Sequence, residues 1–129
     1  MKEIQTQLFA IHSAFADWYN GKVSKDKVWF DTHITSCLHN EFRGVFPDGS
    51  LISKKSFCSM IYKDYGVSSC FLIKLKGFSF LSLGKGYWLV RYKELQYENK
   101  KKTLSLQTSS VVKFTSGKFS WIEMHETSF

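Results

Sequence analysis

The sequence predicts an α+β domain in which N-terminal helices pack on a strongly bent, mostly antiparallel sheet of four to six strands. Three observations carry this. From Glu3 to Asn20 the large apolar residues Ile4, Leu8, Ile11, Phe15 and Trp18 advance by four, three, four and three, which sets them on one stripe of a helix. From Phe71 onward the pattern becomes long runs of period two broken by glycine-containing turns, the mark of antiparallel strands with one covered face. The 129 residues also fit one unit with its own core, so residues 1–129 are expected to form a single domain.

Each element has its own signals. Asn20 and Gly21 suit a left-handed end to the first helix. Ser24 offers an N-cap to a short second helix, with Asp26 in its first turn and Val28, Trp29 and Phe30 as its apolar part. Leu38 to Phe46 reads as a strand ending in the Pro47-Asp48-Gly49-Ser50 turn. Ser53 caps a third helix with Phe57, Met60 and Ile61 on its buried stripe, ending near Tyr65 and Gly66. Phe71, Ile73 and Leu75 begin a long strand that Gly77 interrupts with a bulge or bend. After Gly84-Lys85-Gly86 come strands at Tyr87–Glu98, Thr103–Phe114 and Phe119–Ser128, joined at Lys100–Lys102 and at Thr115–Lys118.

Composition narrows the function classes. Twelve Phe, six Tyr and four Trp are many for a small core; they fit the lining of a cavity or interface, and equally the ordinary packing of a small sheet. Cys37, Cys58 and Cys70 are odd in number and lack C-x-x-C spacing, so reduced thiols are expected and neither a disulfide framework nor a zinc site. The N-terminus has no continuous apolar core of the export type, and no apolar run approaches a membrane span, so a cytoplasmic protein without membrane partners is expected. The net charge of +7 invites a nucleic-acid reading, but the lysines are scattered and only Arg43 and Arg91 are arginine, so no nucleic-acid partner is expected. His12, His33 and His39 are too far apart in sequence for a local ligand pair; no metal and no cofactor are expected.

Helix, short helix, strand, Pro-Asp-Gly turn, helix and four long strands is an order that resembles the nuclear transport factor 2-like superfamily, the cystatin-like cone, and within it the small SnoaL-like and ketosteroid-isomerase-like proteins of unknown function. The resemblance rests on Phe46-Pro47-Asp48-Gly49, on Ser109 to Phe114, and on Phe119-Ser120-Trp121 leading to His125-Glu126-Thr127. It implies a concave sheet closed by helices over a deep pocket, and often a homodimer. In some members it implies isomerase, dehydratase or cyclase activity, in others association without chemistry. No motif here places the carboxylate base, tyrosine and protonated aspartate of the ketosteroid-isomerase type, and no site residue is carried over from the family.

Strand pairing suggests a candidate site. If Ser116 and Gly117 form a two-residue turn, Val112 lies opposite Trp121, Ser110 opposite Glu123 and Thr108 opposite His125, with Trp88, Val90, Tyr92 and Glu94 on the same face. His125 or Glu94 is then the candidate catalytic base and Tyr92 the hydrogen-bond donor to a ligand oxygen. Trp18, Trp88, Thr108, Ser110, Trp121 and Glu123 are candidate ligand-binding residues. A loop one residue longer inverts the faces, turns Glu123 and His125 outward, and leaves Ile122, Met124 and Val112 inside; the sequence leaves both arrangements open. The expected function is binding of a small, partly apolar ligand in a conical pocket, with lyase or isomerase chemistry by a pocket acid/base; the alternative is a non-catalytic association or ligand-binding module acting as a homodimer.

Overall fold

The computed structural model describes residues 1–129. Three helices, α1 (Lys2–Tyr19), α2 (Lys27–His33) and α3 (Lys54–Lys63), share one apolar core with a six-stranded sheet of β1 (Leu38–Val45), β2 (Leu51–Ser53), β3 (Phe71–Gly84), β4 (Tyr87–Glu98), β5 (Lys101–Thr115) and β6 (Lys118–Ser128). The sheet order is β2-β1-β6-β5-β4-β3, antiparallel throughout except between β1 and β6.

The α1 stripe is buried as its spacing predicts, and the helix ends at Asn20 with Gly21 at φ +63°. Asn20 then ties the helix end to the sheet: its amide nitrogen donates to the Phe71 carbonyl at 2.8 Å, and its oxygen accepts from the Phe71 amide at 2.7 Å. The N-cap of α2 is Asp26, not Ser24, because the Asp26 carboxylate reaches the Val28 amide at 3.0 Å. Ser53 caps α3, accepting from the Ser56 amide. The Pro47 turn closes through Gly49, at φ +85°, donating to the Phe46 carbonyl, and returns the chain as β2, a three-residue strand whose short LIS run has no pattern of its own.

Three hairpins turn on residue pairs with positive φ: Lys85-Gly86, Asn99-Lys100 and Ser116-Gly117, the geometry whose twist matches the flanking strands. The expected tip at Lys100–Lys102 therefore lies earlier. Asn99 tolerates the left-handed conformation, β5 begins at Lys101, and Thr103 is passed over where the β4–β5 register shifts between Gln96 and Tyr97. The β3 register shifts around Gly77 and Phe78, as expected, and a second shift between β5 and β6 leaves Ile122 without a partner. Such bulges bend a strand and increase its twist.

Candidate functional site

Among the residues that α1 buries, His12 is the only ionisable one, and it is 2% exposed between Leu8 and Phe15. A polar ring in such a place needs partners. Its Nδ1 lies 2.8 Å from the Leu8 carbonyl, which can only accept, so this nitrogen carries a hydrogen. Nε2 faces the sheet, 3.4 Å from Oε1 of Glu94 on β4, and both side chains are almost fully enclosed. The second Glu94 oxygen accepts from the Gln96 amide at 2.8 Å.

The electrostatics follow from this geometry. Burial, the largest influence, works to discharge His12; the hydrogen bond and charge of Glu94, the Leu8 carbonyl and the charge of Glu126 outweigh it and hold the imidazole above its ordinary value. Burial likewise works to protonate Glu94, but the hydrogen bond and charge of His12, with the Gln96 amide, keep it below the usual carboxylate range. Both directions describe an imidazolium–carboxylate pair. Glu126 on β6 stands opposite Thr108 and is 8% exposed. Burial, and after it the charge of Glu94, push its carboxyl up to about 7, against a smaller opposite pull from His12.

His12, Glu94, Gln96 and Glu126 form the polar end of a cavity of about 120 Å³. Phe15 and Tyr19 of α1, Phe57, Met60 and Ile61 of α3, and Phe46, Ile73 and Met124 complete an apolar wall. An apolar cavity of about 150 Å³ admits benzene, so this one suits a ligand, or part of one, no larger than a small ring. Wider clefts of about 510 and 710 Å³ run along the surface beside α3, but the buried ionisable cluster lies in the smaller cavity. No three His, Cys, Asp or Glu side chains converge as metal ligands, and no helix is long and apolar enough to cross a membrane.

By sequence the chain matches no family and no curated protein. Its fold matches many solved structures. A nuclear transport factor 2-like protein of unknown function from Pseudomonas aeruginosa superposes with a TM-score of 0.88 at 20% identity, over 98% of each chain. A protein from Novosphingobium aromaticivorans provisionally named scytalone dehydratase gives 0.74 at 9% identity, over all of this chain and 83% of that one. One from Thiobacillus denitrificans, provisionally named a calcium/calmodulin-dependent protein kinase type II association domain, gives 0.70 at 8% identity, over 97% and 94%. The fold is that of the nuclear transport factor 2-like proteins, the cystatin-like fold.

On this nuclear transport factor 2-like scaffold the expected site is largely redrawn. The inner face does carry Val90, Tyr92, Glu94, Thr108, Ser110 and Val112. The pairing Val112–Trp121 also holds, but the Ile122 bulge then shifts β6 by one residue, so that Ser110 meets Met124 and Thr108 meets Glu126. Glu123 and His125 consequently point outward: His125 is exposed, and Glu123 binds Arg43 at 2.6 Å. Neither reaches the cavity. Tyr92 is sealed beneath it, bonded to Ser110 at 3.1 Å, and burial raises its phenol. Ser110, Thr108 and Trp121 share that sealed layer, with the Thr108 hydroxyl and the Trp121 indole N–H unpartnered.

Trp18 lies elsewhere. It packs between Trp29, Phe30, Tyr62 and Tyr65 and donates to the Tyr62 carbonyl at 3.1 Å. Trp88 is half-buried opposite Val112, away from the cavity wall. Of the expected residues only Glu94 lines the cavity, and His12 and Glu126 are additions. His12 did carry a signal, an ionisable residue four positions after Leu8 on an otherwise apolar stripe. Glu126 follows from the second arrangement that the sequence leaves open, in which His125 turns outward and Met124 inward, so that Glu126 alternates inward as well.

Proposed function

We propose that the cavity binds a small, partly apolar organic molecule and that its polar end performs acid/base chemistry of the isomerase or lyase kind. The supporting observation is the enclosure of two carboxyls and an imidazole at one end of an apolar cavity, with one carboxyl held near 7, where proton transfer at neutral pH is most effective. With both His12 nitrogens engaged by Leu8 and Glu94, Glu126 is the group left to exchange a proton with a ligand.

A direct test follows deuterium uptake at the carbon beside the carbonyl of a small ketone such as cyclopentanone in heavy water. Uptake accelerated by the protein and lost in Glu126→Gln, which keeps the shape of the side chain and the His12–Glu94 pair, supports the chemistry. Tight ketone binding without exchange would leave a binding module.

The association reading has an observation of its own. On the outer face Leu81, Leu89 and Val111 stand in register across three strands, with Leu81 57% and Leu83 53% exposed. We propose that this face pairs two copies of the chain. Sedimentation at micromolar concentration tests it: a 30 kDa species that Leu81→Asp converts to 15 kDa agrees, and a 15 kDa species in the unaltered chain does not.

A further inference from the structure

Resting on the reading of the cavity above, the charge of its ligand can also be derived. Two of the three ionisable groups at the polar end are already engaged. Both His12 nitrogens have partners, in the Leu8 carbonyl and Glu94, and the two Glu94 oxygens meet His12 and Gln96. Glu126 differs: it is mostly buried, only burial and the charges of Glu94 and His12 act on it, and its oxygens are not among the sealed polar atoms. A buried carboxyl without a partner is a standing cost to the fold, which a ligand in the cavity can relieve.

We infer that Glu126 is the residue through which the cavity holds its ligand, and that the ligand is an uncharged oxygen compound, a small alcohol, aldehyde or ketone, and not a carboxylate or phosphate. No lysine or arginine lines the cavity, and the His12–Glu94 pair is neutral as a unit, so Glu126 sets the net charge that a ligand meets. The groups facing it are His12 and Tyr19 from α1 and Glu94 and Tyr92 from β4; α3 presents Phe57, Met60 and Ile61, and β3 presents Ile73, all uncharged. Protonated, Glu126 donates a hydrogen bond to a neutral oxygen; ionised, it accepts one from an alcohol and repels an anion.

Three probes with the same five-membered ring separate the possibilities, the change of the carboxylate's affinity with pH distinguishing charge from its larger size: cyclopentanol, cyclopentanone and cyclopentanecarboxylate, titrated into the intact protein at pH 6 and pH 8 while the Met60 and Met124 methyl signals are followed. Cyclopentanol and cyclopentanone are expected to shift both methyls. The carboxylate is expected to bind about tenfold or more weakly at pH 8, with a narrower gap at pH 6. Glu126→Gln should remove the pH dependence of that gap. In the unaltered chain, bound cyclopentanone should raise the titration midpoint of the Glu126 carboxyl carbon. Carboxylate binding at pH 8 as tight as that of the ketone overturns this inference and leaves the cavity standing as a site. No shift with any of the three at millimolar concentration removes the site as well.

Discussion

Replacing Glu126 by glutamine should stabilise the protein at alkaline pH, although it alters a buried residue. The carboxyl has an ordinary value of 4.5 and is held near 7 in the fold, mainly by burial. Because the folded value lies above the unfolded one, the favourable contribution is complete below about 4.5 and is lost as pH rises through about 7. At about 1.4 kcal/mol for each tenfold, ionising Glu126 removes about 3 kcal/mol from the folded state, a large share of the stability of a small domain. Glutamine keeps the shape and titrates nowhere. Urea denaturation of both chains at pH 4 and pH 8 measures the difference: relative to the unaltered protein, Glu126→Gln should gain about 3 kcal/mol between the two. A difference that stays constant with pH would refute the reasoning, since it would mean that Glu126 ionises as freely in the fold as in the open chain.

Three further outcomes follow. His12→Gln leaves Glu94 buried without its cation and should cost about 3 to 5 kcal/mol at pH 7, whereas His12→Leu with Glu94→Met together should recover most of that loss in the same denaturation assay. In the unaltered protein this pair's contribution should fade below about pH 4.5, as Glu94 protonates, and again above 6.5, as His12 loses its proton. Deleting Ile122 takes out only the unpaired residue and leaves Glu123 opposite Val111, Met124 opposite Ser110 and Glu126 opposite Thr108, so the Glu126 carboxyl should keep a titration midpoint near 7 by NMR; a midpoint near 4.5 would mean that the inward register of β6 depends on the bulge.

The parts of the fold legible in the sequence are those set by local chemistry. The α1 stripe, the Ser53 cap, the Pro47 turn and the Ser116-Gly117 hairpin each follow from residues within a few positions of one another. The inward face of β4 and β5 follows from turn and alternation together, and Tyr92, Glu94, Thr108 and Ser110 lie on it. The site itself was not legible, for two physical reasons. A bulge at Ile122, with no glycine to announce it, reverses every later side chain of β6 and exchanges His125 for Glu126. The His12–Glu94 contact joins residues 82 positions apart, through packing of α1 on the sheet that no local pattern encodes. The parallel pairing of β1 with β6 is likewise tertiary.

The central claim, an inward-facing Glu126 beside the His12–Glu94 pair, is tested most directly by titrating the Glu126 carboxyl carbon by NMR in the unaltered, ligand-free protein. The arrangement predicts a midpoint near 7. A midpoint near 4.5, the value of a solvated glutamate, would contradict it.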